Sequence, residues 1–263
     1  MPTFYIYNDL KIKYIISVVL GSIMFLFIAL LSGFGGIAII INWVILMLAI
    51  AFVFDLIKTK RIDKIMIELD NCRVKEYVET YENLITNYRK KNDFLLSNLA
   101  VGYIKLGEIE KAKSYLNAIN ISNKNRLSAI NIEYVYLNNL CAVNILLGDV
   151  QSAEEYLKKM QDMINNPLVK HHVKASFSYR YALNKMELDI LKGDNSLKEK
   201  LYTLILQVDN RMLSKVEANY GLGEFYEAQG DIDKAKLHYN FAKENGGSSI
   251  YQKKAQSRLE ELS

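Results

Sequence analysis

Two long, almost uncharged runs near the N-terminus limit the possible folds more than any other feature. Tyr14 to Leu31 is 18 residues without a charge, and Ile37 to Ile57 is 21 residues whose only ionisable side chain is Asp55. As helices rising about 1.5 Å per residue they would measure roughly 27 and 31 Å, which matches the hydrocarbon thickness of a bilayer. Ser32-Gly33-Phe34-Gly35-Gly36 separates them with turn-prone residues. A transmembrane helical hairpin is therefore expected within residues 1–57, with spans at 14–31 and 37–57. A cleaved signal peptide has a short apolar core and no second full span directly after it. Helices buried in a water-soluble core keep a wet face, and these runs offer none.

Charge placement orients the hairpin. Lys11 and Lys13 precede the first run, Lys58, Lys60, Arg61 and Lys64 follow the second, and the loop between them is uncharged. By the positive-inside rule both termini face the cytoplasm, so the expected localisation is a multi-pass protein of the cell membrane. Asp55 then lies at the cytoplasmic boundary, and Asn42-Trp43 toward the outer interface. Lys11 and Lys13 offset Asp9 and Asp55, so residues 58–263 hold the whole net charge of +4. That mild excess argues against a nucleic-acid partner. Two cysteines, Cys72 and Cys141, cannot form a disulfide framework and fit a reducing compartment.

Beyond Ile57 helical periodicity continues nearly to the end, with short polar turns and no alternating strand pattern. Only two prolines interrupt the whole chain. The expected fold is all-α: the hairpin, then one helical domain over 58–263. Within that domain Leu222-Gly223-Glu224-Phe225-Tyr226-Glu227-Ala228-Gln229-Gly230-Asp231-Ile232-Asp233-Lys234-Ala235, running on to Tyr239 and Ala242, resembles the tetratricopeptide repeat. Leu99-Ala100, Tyr103, Gly107, Ala112, Leu116 and Ile119 return the pattern, as do Leu140-Cys141, Gly148, Ala153, Leu157 and Met160. Two antiparallel helices approach closely where a small residue faces the partner, and the turn between them favours glycine at positive φ. Ala100, Cys141 and Gly223 fit the first small site; Ala112, Ala153 and Ala235 fit the second. Cys141 is accordingly a packing residue.

A further copy around Gly193-Asp194 is degraded: Asp189 replaces an aromatic, and a Leu or Lys at 197 or 198 stands where the small Ala is expected. From Ala112 to Ala153 is 41 residues, and from Ala153 to Ala235 is 82, twice that. The period exceeds the 34 usual for tetratricopeptide repeats. Longer first helices account for the excess, from Asn125 to Leu147 and from Pro167 to Lys192, with Pro167 in a first helical turn. Arg73 to Lys91 reads as one amphipathic helix presenting Tyr77, Tyr81 and Leu84. Lys58 to Leu69 reads as its partner and as a continuation of the second span. After Gly246-Gly247, residues 248–262 form the cap helix that repeat arrays need.

The sequence lacks the spacings of phosphate loops, zinc sites and acyl-transfer nucleophiles. Adjacent His171 and His172 diverge by about 100° on a helix and chelate poorly. His238 has no neighbouring ligand. Gly33, Gly35 and Gly36 form a turn rather than a phosphate cradle, and Asn120-Ile121-Ser122 is inert as an acceptor on the cytoplasmic side. Eighteen tyrosines could stack nucleobases, but Tyr103, Tyr226 and Tyr239 fall on core aromatic positions of the repeat. No catalytic, cofactor-binding or metal-binding residue is expected, and the chain does not read as an enzyme.

The tetratricopeptide resemblance implies a solenoid that binds a peptide or helix in a groove lined by the first helices of its pairs. The groove positions it carries over are Lys105; Asn138 and Asn139; Arg180, Asn184 and Glu187; and Tyr220, Glu224 and Glu227. Their mixed charge specifies neither an acidic nor a basic ligand. The expected role is a membrane-tethered scaffold or adaptor with a protein partner. The alternative is a peptide-responsive regulatory subunit of a membrane complex, with an enzyme of unrecognised site as a third reading.

Overall fold

The computed structural model describes residues 8–32, 36–86, 93–120, 127–167, 169 and 171–263. Twelve helices and no strand occur among them: α1 (Asn8–Ser32), α2 (Gly36–Asp70), α3 (Val74–Thr86), α4 (Asp93–Leu106), α5 (Ile109–Asn117), α6 (Leu127–Leu146), α7 (Val150–Asn165), α8 (His171–Leu191), α9 (Leu197–Val208), α10 (Met212–Ala228), α11 (Ile232–Asn245) and α12 (Ile250–Glu261). They form two compact units, Met1–Ile67 and Glu68–Ser263.

In the first unit α1 and α2 run antiparallel. The rings of Tyr14 and Phe54 meet edge to face at 5.3 Å, Ile50 and Leu46 lie against Gly21, and Trp43 Nε1 donates to Ser22 Oγ at 3.3 Å. Many of their other described apolar side chains are exposed: Leu48 and Phe52 are each 65% exposed. By length and composition, one helix among the described residues could cross a membrane, Ile40–Asp70, whose most apolar stretch has a mean hydropathy of 2.5; Ile12–Ile28 is a shorter apolar helix. The second helix continues unbroken past Ile57 to Asp70, as Lys58–Leu69 was expected to do.

The second unit is built from one turn used repeatedly. At Gly107, Gly148, Gly193 and Gly230 φ lies between +75° and +111°. In each case the glycine N–H donates to the carbonyl three residues back, and the following N–H to the carbonyl five residues back, at 2.9–3.0 Å. This hydrogen-bond pair satisfies the last carbonyls of a helix and turns the chain into the next. Cys72 makes the same pair, to Leu69 and Glu68, at φ +61°. A fifth turn of the series therefore stands at a cysteine, where residue type gives no turn signal.

The small sites pack as the repeat pattern predicts. Ala100, Ala112, Cys141, Ala153 and Ala235 are fully buried, and Cys141 Sγ lies 3.6 Å from the Ala153 carbonyl. Burial pushes the Cys141 thiol up to about 12, which suits a packing residue rather than a nucleophile. Tyr103 and Tyr239 are core. Tyr226 is not: it is half-buried, stacks on His238 at 5.4 Å and donates to Glu199 Oε1 at 3.0 Å.

The third pair departs from expectation for a local reason. α5, α7 and α11 each begin two residues after the turn glycine, but α9 begins four after Gly193. Asp194, Asn195 and Ser196 form an added turn. The register shifts, so the fully buried position is Leu201 rather than residue 197 or 198, which are both half-buried. A glycine on the facing helix restores the close approach: the Tyr202 ring fills the space where a Cβ on Gly221 would project.

Three boundaries also shift. Pro167 lies in a turn, not in a first helical turn, and α8 starts at His171. Asn166 before it is extended at ψ 126° and caps α7 through Met163, the conformation that a following proline favours. The helix expected over Arg73–Lys91 is Val74–Thr86 as described, and that over Asn125–Leu147 is Leu127–Leu146. Residues 33–35, 87–92 and 121–126, which include Gly33, Gly35, Ile121 and Ser122, lie outside the described residues.

The cap helix α12 packs on α11 and α10 and also reaches α4. Ile250 fits against Gly107, and Ser248 N–H donates to the Cys72 carbonyl at 2.9 Å. The array's last helix thus meets its first turns.

Candidate functional site

The first helices α4, α6, α8 and α10 present two connected polar groups. The first is a ladder of amides. Asn184 Nδ2 on α8 donates to Asn138 Oδ1 at 3.2 Å. Asn138 Nδ2 on α6 donates to its neighbour Asn139 Oδ1 at 3.3 Å, and Asn139 Nδ2 reaches Ser97 Oγ on α4 at 3.1 Å. Asn139, Asn184 and Ser97 are buried. The ladder links three consecutive first helices through directional bonds, so it fixes their register.

The second group is charged. Lys105 Nζ on α4 pairs with Glu217 Oε2 on α10 at 2.6 Å, both side chains being partly exposed. Tyr251 on α12 donates to Glu217 Oε1 at 2.5 Å, and Tyr220 donates to Glu224 Oε1 at 2.8 Å. Tyr220 also contacts the rings of Tyr239 and Tyr251, each at 5.7 Å. Glu227 accepts from the Tyr239 hydroxyl at 2.7 Å and pairs with Arg258 on α12. Burial and the nearby Glu217 carboxylate raise the pKa of the Tyr251 hydroxyl.

Glu187 on α8 lies near this charged group. Burial, with the like charge of Glu217, pushes its carboxyl up to about 7, and Lys105 offsets the rise in part. Arg180 stands apart from both groups, near Arg211, Asp209 and Tyr179. Its outer atoms meet solvent, yet surrounding protein desolvates the guanidinium and, with Arg211 beside it, lowers its pKa. Burial pushes the neighbouring Asp209 upward, but Arg211 and Ser214 outweigh it and hold Asp209 at about 2.

Of the nine groove positions, Asn138, Asn139 and Asn184 thus come together, and Lys105 joins Tyr220 and Glu224 through Glu217 and Tyr251. Glu227 is engaged by the cap helix. Sequence reasoning passed over Glu217, although residues 217, 220, 224 and 227 form a stripe on one helix face. Tyr251 and Arg258 carry no such signal, because only the return of α12 brings them here. His238 is structural, its Nδ1 lying 2.8 Å from Asn219 Oδ1, and burial lowers its pKa. Among the described residues no group of three or more His, Cys, Asp or Glu side chains could hold a metal.

A family model described as tetratricopeptide repeat matches residues 216–242, which cover most of α10 and α11. That is the stretch whose small residues, turn glycine and core aromatics carry the resemblance most fully. No curated protein and no solved structure matches the chain. The match, with the all-helical array around it, supports a role in binding other proteins.

Proposed function

We propose that the chain is a membrane-tethered adaptor whose repeat array binds a peptide or helix of a partner protein along its first helices. The observation that carries the binding half is the tetratricopeptide match at 216–242, in an array whose first helices share connected polar groups. Such surfaces recognise peptides through side chains spaced along successive helices. The membrane half rests on Ile40–Asp70, long, apolar and unburied along its most apolar stretch, with basic residues flanking the apolar runs. Both termini are then cytoplasmic, and tethering raises the effective concentration of partners at the membrane.

The test is cross-linking in native membranes with the full chain, comparing wild type with Glu224→Lys and with Asn138→Ala. Glu224 is exposed and carries none of its helix's core packing; Asn138 is the middle link of the amide ladder, so its variant counts only where the thermal melt of the array matches wild type. A stoichiometric neighbour lost in both variants supports the reading. A neighbour retained in both places the contact elsewhere on the protein. Alkaline extraction releasing the chain from membranes would refute the tether.

A further inference from the structure

We infer that the array is a closed circuit held by a clasp between its last and first turns, and that the clasp opens to admit a ligand to the first-helix face; the admission step rests on the interaction reading above. The circuit is visible in contacts that span almost the whole second unit. Ser248 N–H donates to the Cys72 carbonyl at 2.9 Å, and Lys75 N–H donates to Ser248 Oγ at 3.0 Å. Lys105 reaches Glu217, and Ile250 sits on Gly107.

Two features distinguish this seam from the stacking between neighbouring pairs. Its fit depends on missing side chains at both edges. A Cβ on Gly247 would lie 2.5 Å from the Cys72 carbonyl oxygen, and one on Gly107 2.8 Å from Ile250 Cγ1. The turn glycines Gly148, Gly193 and Gly230 share the positive φ but have nothing within 4 Å of that position. Turn geometry alone therefore explains three of the four repeat glycines, while Gly107 also serves the seam.

The seam also carries several polar contacts. Its directional contacts are two backbone donors and a partly exposed ion pair, beside the apolar contacts of Ile250 with Gly107 and of Cys72 with Gly247, whereas neighbouring helices bury Leu, Ala and Tyr against each other. Polar contacts exchange readily for water, so they part more easily than an apolar interface of equal size. The Lys105–Glu217 pair, part of the charged group on the first helices, is itself a member of the seam. While the seam is shut these groups are spent on each other, and parting it frees both for a ligand.

The test uses the full chain in lipid nanodiscs. Spin labels at Glu76→Cys on α3 and Lys253→Cys on α12 report the distance across the seam; every sample carries Cys72→Ser and Cys141→Ala, because Cys72 lies in the seam and opening would expose its thiol. Wild type is expected to give one narrow distance with a small longer population. Ile250→Asp and Gly107→Ala raise that longer population roughly tenfold, whereas Gly148→Ala, with equal turn strain and no seam contact, leaves it unchanged. An unchanged distance in Ile250→Asp, or an equal response to Gly148→Ala, overturns the clasp.

Admission is tested by locking the seam. Cys72 shows that a cysteine fits this turn, and the Cβ positions of residues 107 and 250 are 3.2 Å apart, close to disulfide range. Gly107→Cys with Ile250→Cys, oxidised, should abolish cross-links from a photoreactive amino acid at position 187, half-buried beside the Lys105–Glu217 pair, and reduction should restore them. Cross-links that survive the lock refute gating. Cross-links absent in every state refute the interaction reading and the admission step together, and the spin-label distances then decide the clasp by themselves.

Discussion

Residues 1–67 and 68–263 solve the same problem, pairing antiparallel helices, with their apolar residues on opposite sides. In the first unit Leu48 and Phe52 point outward at 65% exposure. In the second Leu95, Leu99, Leu116 and Leu201 are fully buried, and the surface carries the charge. Helix formation is common to both; on the membrane reading proposed above, what differs is the solvent each pair is written for. In water the apolar face must be covered by a partner helix, and covering it requires small residues at the crossing. In lipid the apolar face is already solvated. The contrast makes quantitative demands on equivalent residues in the two units.

The largest difference is expected for leucines. Leu99→Ala empties a fully buried site in α4 and should cost about 2–5 kcal/mol in denaturant unfolding of the array, through lost transfer energy and the cavity left behind. Leu48→Ala should change the same transition by less than about 0.5 kcal/mol. Circular dichroism of the full chain in detergent, titrated with urea, measures both. A loss from Leu48→Ala as large as that from Leu99→Ala would break the contrast.

Glycines sharpen the comparison at the helix crossings. A Cβ on Gly223 would lie 2.5 Å from the ring of Tyr239, which is fully buried and tied through its hydroxyl to Glu227. Gly223→Ala should therefore cost about 1–3 kcal/mol, since the ring cannot retreat. At Gly21 the nearest atom is the flexible end of Ile50, at 3.2 Å. Gly21→Ala should be close to neutral, because relief at Ile50 and better helix propensity offset the contact. Thermal melts of the two variants in the same detergent decide it.

Much of this division was legible in the residues themselves. The two almost uncharged runs, the turns at Gly107, Gly148 and Gly230, and the alanines Ala112, Ala153 and Ala235 facing across their pairs follow from local chemistry. Two features were not legible, each for a physical reason. The turn at Cys72 is fixed by the hydrogen bonds of Leu69 and Glu68 rather than by its residue type. The third pair carries its inward site three residues late, so a search at fixed offset meets Lys198 instead of Leu201. The site was half legible: the asparagines appear as separate groove positions, but their joining into a ladder and the return of Tyr251 and Arg258 depend on contacts between distant helices.

Glu187 gives a prediction of opposite sign. Its carboxyl rises from an ordinary 4.5 to about 7 in the folded chain, so folding favours the protonated form. Below pH 4.5 both states are protonated and the group costs nothing. Between pH 4.5 and 7 the unfolded chain releases its proton first, and stability falls as pH rises, levelling off above 7. Glu187→Gln should therefore stabilise the array at pH 8 by about 1–2 kcal/mol, a figure discounted because the side chain is half-buried, and should change nothing at pH 4. An equal gain at both pH values would assign the effect to packing.

The smallest expected effect separates exposure from function. Leu237 on α11 is 68% exposed, slightly more than Leu48. Its neighbours in sequence are Lys236 and His238, and Lys234 lies one turn back, so it is a lone apolar residue on a charged face. Single exposed leucines are ordinary on a protein surface in water. Leu48 stands instead in an apolar stretch that continues on every side of its helix. Leu237→Ser should shift the unfolding transition by less than about 0.5 kcal/mol and leave membrane retention unchanged. Leu48→Asp at equal exposure should release a measurable fraction of the chain on alkaline extraction, because a carboxylate at mid-span is expensive in lipid. If the two substitutions behave alike, outward-facing leucine means the same thing in both units, and the case for two solvents fails.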